Sequence, residues 1–206
     1  MTQYKDLNEL IVDMKQCTAC KLRAGCTQVV CPVGQYDNPA LVVVNECPGS
    51  SEDEAGETLI GPAGQCLREA MRKTKILNQT NTLLLNVLNC QPPGNKFPKN
   101  KIDKDCPKIC MAQWTWNIIE LAKPKKMLLL GAVPLKFIAE LDGITKLRGQ
   151  WLNVRGIRTL ATFHPSYILR MDNPPEKNAA VFVDNPYRKM FISDINEIAK
   201  EVGELK

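Results

Sequence analysis

The stretch Ala40-Leu41-Val42-Val43-Val44-Asn45-Glu46 decides how this 206-residue chain is read, because an almost unbroken apolar run stops on polar Asn-Glu and the turn Cys47-Pro48-Gly49. A run of this length without polar alternation fits a strand covered on both faces, the usual state of a strand inside a parallel sheet. Three further runs share the pattern: Thr82 to Leu88, Lys126 to Gly131 and Thr159 to Phe163. Helical periodicity lies between them, over Gly64 to Lys75, Asp105 to Leu121 and Pro134 to Leu141, with Met1 to Lys15 and Asn185 to Val202 flanking the whole. Alternation of this kind predicts a three-layer α/β/α sandwich around a parallel sheet, formed as a single domain over residues 1–206.

Composition agrees with a folded globular chain. The hydrophobic fraction is 44% and the charged fraction 24%, which excludes a disordered or fibrous protein. The opening MTQYKDLNEL is polar, and no apolar run approaches the ~20 residues that span a bilayer, so a cytoplasmic protein without a membrane partner is expected. A net charge of +5 is mildly basic and favours a polyanionic partner. The local run Lys96, Lys99, Lys101, Lys104 and Lys108 outnumbers Asp103 and Asp105, and reads equally as a solvated loop or a phosphate-binding one.

Nine cysteines without a secretory signal point to metal binding or buried thiols rather than disulfides. Cys17 and Cys20 form a C-x2-C pair; Cys90 begins a Pro-rich loop, and Cys106 follows after fifteen intervening residues. Four thiolates from two distant segments suit an iron–sulfur cluster or a zinc ion, and spacing alone leaves both open beside simple buried thiols. Cys26, Cys31 and Cys110 are near enough to be rival ligands, while Cys47 and Cys66 read as site-lining and helix-packing thiols.

Ligand sites in open parallel sheets lie beyond the carboxyl ends of the strands. That rule selects ECPGSSED (46–53), NVLNCQPPGN (86–95), GAVP (131–134) and FHPSYILR (163–170). His164 is the only histidine, so any step that needs an imidazole must use it. The segment after it reads as a strand-terminal loop with an apolar projection, Ile168 or Leu169, able to wedge into a duplex. Asn86 ends the second strand with an amide that donates and accepts at once, as reading a pyrimidine edge requires. Gly49 allows close backbone approach to a ligand, and Ser50, Ser51, Glu52 and Asp53 read equally as a helix-capping run.

Taken in order, CTACKL (17–22), NECPGSSED (45–53), TLIGPAGQCL (58–67), LNVLNCQPPGNK (85–96), Cys106 and HPSYILR (164–170) resemble the motifs of the uracil-DNA glycosylase superfamily, specifically its iron–sulfur branch, family 4. The resemblance covers nearly the whole chain. It implies a four-stranded parallel sheet in the sandwich and a nucleotide flipped out of single- or double-stranded DNA into a pocket at the strand ends. A monomeric enzyme would then hydrolyse the base–sugar bond to leave an abasic site. The resemblance also implies a [4Fe-4S] cluster on Cys17, Cys20, Cys90 and Cys106, selecting those four from nine. His164 would face the base's O2, Asn86 would read its N3 and O4 edge, and the backbone around Glu46 and Cys47 would position water. Cys47, Pro48, Gly49, Ser50 and Leu59 would line the base pocket, and Ser166, Tyr167, Ile168 and Arg170 would meet DNA, Ile168 filling the gap in the stack.

The departures from the family pattern concentrate in the pocket. Leu59 stands at the stacking phenylalanine, Cys47 at an alanine, Asn45 at a glycine, and Ser50 where glutamate is frequent. A less bulky, less charged wall is expected to face the base's C5 side. This allows a second reading, excision of a C5-modified cytosine, hydroxymethylated or glucosylated, from phage DNA in antiviral defence. A third, of another class, is a non-catalytic iron–sulfur DNA-binding protein that keeps the scaffold.

Overall fold

A computed structural model describes residues 4–98, 104–172 and 185–204. Strands β1 (Val33–Gly34), β2 (Leu41–Asn45), β3 (Thr82–Asn86), β4 (Lys126–Leu130), β5 (Trp151–Val154) and β6 (Ile157–Thr162) form one sheet in the order β1-β3-β2-β4-β6-β5. Its centre, β3-β2-β4-β6, is parallel, and these are the four strands expected from the sequence. Alternation along them divides the core. Val42, Val44, Leu83, Leu85, Met127 and Leu129 face one side, whereas Leu41, Val43, Leu84, Leu128, Leu130 and Leu160 face the other. Both faces are apolar because both are covered, which is why the runs carry no polar alternation.

Helix α1 (Leu7–Lys15) packs on the first face, and the short α2 (Ser50–Ala55) follows β2. Helix α3 (Pro62–Thr74), opened by Pro62 at its first position where no N–H is needed, packs on the second face. The segment expected as one helix over 105–121 is α4 (Cys106–Cys110), a π-helical turn (Met111–Thr115) and α5 (Trp116–Ala122) in unbroken succession along the first face, which α6 (Ala132–Ile138), following β4, also covers. The short α7 (Ile144–Leu147) leads into the β5–β6 hairpin, and α8 (Pro165–Asp172) and α9 (Pro186–Gly203) complete the second face.

The sheet has six strands, not four. β1 and β5 add to the edges antiparallel to β3 and β6. β1 is two residues long, and β5 is an edge strand with one buried residue, so neither carries the continuous apolar run that marked the others. The hairpin turn uses Arg155 and Gly156, both at positive φ, instead of the more recognisable Asn-Gly. A second correction concerns HPSYILR, which is no loop: it opens α8 directly after β6.

The chain leaves β2 toward β3, then crosses back past β2 to lay down β4. That reversal opens a crevice at the carboxyl ends of the strands. All four segments selected from the sequence stand at strand ends on this side.

Candidate active site

Asn45 and Asn86 are the last residues of β2 and β3 and are paired across the sheet, so their side chains lie side by side on the α3–α8 face. His164 comes from beyond β6, two strands away. It reaches Asn45 by passing over the end of β4, where Gly131 takes φ +93°. A Cβ on Gly131 would lie 2.9 Å from the His164 Cβ, closer than two carbons tolerate. Gly131→Ala is therefore expected to lower activity at this site about tenfold by displacing His164, and to destabilise the fold by about 1–2 kcal/mol through the forced positive φ. Thermal melting and single-turnover kinetics check the two effects.

Five groups form one directed hydrogen-bond chain. His164 Nε2 lies 2.7 Å from Asn45 Oδ1, and Asn45 Nδ2 donates to Asn86 Oδ1 at 2.9 Å. Asn86 Nδ2 donates to Thr58 Oγ1 at 3.1 Å, and the Thr58 hydroxyl donates to the Cys31 carbonyl at 3.0 Å. Both ends fix the direction. The Cys31 carbonyl only accepts, so Thr58 must donate to it and accept from Asn86. At the other end the Ser166 backbone N–H donates to His164 Nδ1 at 3.1 Å, with the Ser166 hydroxyl on the same nitrogen at 2.7 Å. Nδ1 is thus an acceptor, and the proton of the neutral imidazole sits on Nε2. Burial first, and then the Arg170 charge, push the His164 imidazole down to about 4.

The loop after β2 is held by the α2 carboxylates. Glu52 accepts from Gly49 N–H at 3.1 Å and from Gly61 N–H at 2.7 Å, closing both sides of the pocket loop, so the capping reading of this run is the observed one. Asp53 accepts twice from Thr27 N–H and ties the cysteine-bearing N-terminal segment to the same loop. Gln91 of the Pro-rich loop donates to Ser50 Oγ. Pro48 is buried, while Glu46, Cys47 and Gly49 are half-buried at the strand end. Burial, reinforced by the charges of Glu46 and Glu52, pushes the Cys47 thiol far above its ordinary range, so it is protonated and no base.

Two expectations need correction. Ile168 is 0% exposed and packs in the core with Phe191 and Ile195, because α8 turns that position inward; it cannot fill a gap in a base stack from there. Leu169 is half-buried beside it, and Ser166, Tyr167 and Arg170 remain at least partly exposed. Asn45 does not thin the pocket wall, since its side chain fills the space between His164 and Asn86. Leu59 is fully buried at φ +60°, its backbone pressed against Gly64 of α3.

The thiols gather on the opposite side of the β3 end. Cys17, Cys20, Cys90 and Cys110 line one narrow cavity whose remaining walls are largely apolar, with Cys106 buried one turn before Cys110 on α4. Trp114 Nε1 donates to Cys17 Sγ at 3.2 Å, and Asn89 Nδ2 donates to Cys110 Sγ at 3.1 Å. Among the described residues no three Cys, His, Asp or Glu side chains stand in metal-ligating array. The donor set nevertheless fits a thiolate-bound centre: soft ligands, a narrow and largely apolar cavity, and N–H groups aimed at sulfur. The π-helical turn joins this cavity to the site, for Thr115, next to Trp114, donates to the Asn86 carbonyl at 3.1 Å. Lys96, Lys104 and Lys108 of the basic run are described, whereas Lys99, Lys101 and Asp103 lie outside the described residues.

Sequence reading missed Thr58, Thr115 and Gly131. A buried threonine and a π turn leave no signal in one sequence, but a glycine at a strand's carboxyl end is a visible invitation to close approach.

The family model described as the Uracil DNA glycosylase superfamily matches residues 31–184, and the chain belongs to that superfamily. Within it, the chain is similar to proteins named Type-4 uracil-DNA glycosylase. The Thermotoga maritima protein is 36% identical over 200 residues, covering 93% of this chain and 98% of the relative. Those of Pyrobaculum aerophilum and Archaeoglobus fulgidus are 29% identical over 174 residues and 27% identical over 210, covering 80% and 98% of this chain and 85% and 94% of the relatives.

Proposed function

We propose that this protein is a DNA glycosylase that flips uracil out of DNA and hydrolyses its N-glycosidic bond, leaving an abasic site for base excision repair. The observation that carries the reading is the neutral His164 with its proton on Nε2, linked to the Asn86 amide at the carboxyl ends of the sheet. As the C1′–N1 bond breaks, the sugar becomes oxocarbenium-like and negative charge collects on the departing base. A fixed donor at O2 stabilises that charge more than the ground-state carbonyl, which is what accelerates the step. Asn86 selects the N3 and O4 edge. Water adds to C1′, positioned by backbone around Glu46 and Cys47, and its proton leaves to solvent while the base departs as the anion.

On the DNA side, Ser166, Tyr167 and Arg170 of α8 meet the strand, Leu169 replaces Ile168 as the wedge, and Lys96, Lys104 and Lys108 supply phosphate contacts. Cys17, Cys20, Cys90 and Cys106, the last one turn before the cavity-lining Cys110, would hold a [4Fe-4S] cluster, which would serve as a structural brace, since hydrolysis moves no electrons. Trp114 of the π turn donates to Cys17 and the adjacent Thr115 donates to the Asn86 carbonyl, so a centre held on these thiols would brace the turn that fixes Asn86. The protein acts in the cytoplasm as a monomer; among the described residues no helix is long and apolar enough to cross a membrane.

The C5-modified cytosine reading gains nothing from the geometry, because Asn45, one of the residues expected to thin the pocket wall, instead fills the space between His164 and Asn86. Incubation with uracil-containing DNA and, separately, with glucosylated hydroxymethylcytosine DNA decides the substrate. Abasic sites are expected only in the first; abasic sites confined to the second would overturn the assignment.

A further inference from the structure

The Asn45 carboxamide stands between the two groups assigned above to the base. Its Oδ1 takes the His164 Nε2–H at 2.7 Å, and its Nδ2 gives a hydrogen to Asn86 Oδ1 at 2.9 Å. A uracil held by the same pair offers O2 to the histidine and N3–H to the asparagine. The atoms O2=C2–N3–H and Oδ1=Cγ–Nδ2–H are the same planar amide. The orientation of the Asn45 amide is not arbitrary, since the Cys31 carbonyl at one end and the Ser166 N–H at the other fix every donor in the chain. The second Asn45 amide hydrogen is directed to the Cys47 carbonyl at 3.3 Å. Asn45 is 4% exposed and Asn86 1%, so nothing reaches the reading edge of Asn86 while Asn45 holds this position.

We propose that Asn45 is an internal occupant of the base-recognition edge, a residue that must swing aside before a pyrimidine engages His164 and Asn86 and that thereby sets both the rate and the specificity of entry. This rests on the glycosylase reading for the identity of the ligand, but the occupancy itself is a matter of geometry. Apparent affinity for a ligand falls by the fraction of molecules whose site is competent. A base that cannot replace both hydrogen bonds leaves the His164 donor or the Asn86 acceptor unpaired and is rejected. Uracil restores both. A pyrimidine without a hydrogen on N3, such as cytosine, restores only one, so the occupant rejects it by competition as well as by fit.

The test uses two truncations, Asn45→Ala and Asn45→Ser, and the fact that His164 is the only histidine. Its ¹⁵N-labelled imidazole is a single-residue reporter. Free uracil is expected to shift the Nε2–H signal in both variants and to leave the wild-type signal unmoved at the same concentration. 3-Methyluracil, which lacks the N3 hydrogen, should shift none of them. In single-turnover assays at subsaturating uracil-DNA, the variants should release base about tenfold faster than wild type, the effect of removing a competitor held by two buried hydrogen bonds. Wild-type binding of free uracil as tight as that of the variants would overturn the proposal. So would slower release by both variants without uracil-dependent shifts, which would make Asn45 a positioning residue for His164. Uracil-dependent shifts in the variants with no base release from any of the three proteins would uphold the occupancy and overturn the glycosylase reading instead.

Discussion

His164→Ala should lower single-turnover uracil release by about 10²–10³-fold while leaving DNA binding near wild type, the loss typical of removing one donor aimed at developing charge. The histidine donates as a neutral group, with its proton on Nε2 and its Nδ1 occupied by the Ser166 N–H. With the imidazole pushed down to about 4, no titration of His164 should appear in the rate profile between about pH 5 and pH 8. A rate that falls through pH 6.5 as an imidazolium deprotonates would instead mean that the protonated ring is the donor. Stability carries the same signature with a definite sign. Unfolded histidine titrates near 6.5, so between about 4 and 6.5 the unfolded chain binds more protons than the folded one, and stability is lost as pH falls through that window. The loss is about 3 kcal/mol at most, and it should be missing from the stability curve of His164→Ala, measured by urea denaturation across the window.

The second large effect belongs to the cysteines. Cys20→Ser or Cys90→Ser should abolish the brown visible absorbance of an iron–sulfur centre and leave iron well below stoichiometric. A cross-link between the N-terminal pair and Cys90 closes a loop of about 70 residues, worth about 4 kcal/mol by loop-closure entropy. For a chain of this size that lowers Tm by about 10–15 °C. Because Trp114 touches Cys17 and the adjacent Thr115 holds the Asn86 carbonyl, activity should fall as well, even at temperatures where the variants stay folded. Stoichiometric zinc with no iron in the wild-type protein would contradict the cluster.

How much of this was legible in sequence differs between elements for physical reasons. β2, β3, β4 and β6 were readable because strands covered on both faces must be apolar throughout, and their polar final residues, Asn45 and Asn86, marked where the site begins. β1 and β5 were not, since an edge strand needs no such run. His164 stood out as the only imidazole at a strand end. Its partner did not: Asn45 was legible as a pocket residue, but whether its amide points to the wall or across to His164 depends on a rotamer, and a rotamer depends on neighbours that one sequence does not display. The same holds for Ile168, whose inward direction follows from HPSYILR being the first turns of α8 and not a loop. Thr58 and Thr115 act through backbone and amide partners distant in sequence, at separations of 27 to 29 residues, and no local pattern announces them.

Breakage of one bond, C1′–N1, separates a glycosylase from a protein that only binds DNA. Mass spectrometry of the small molecules released when the purified protein meets a uracil-containing oligonucleotide should find free uracil in a one-to-one ratio with abasic sites, and almost none with His164→Ala. Oligonucleotide that is bound but chemically intact, with no free base from the wild-type protein, would contradict the glycosylase reading and leave a DNA-binding protein on a glycosylase scaffold.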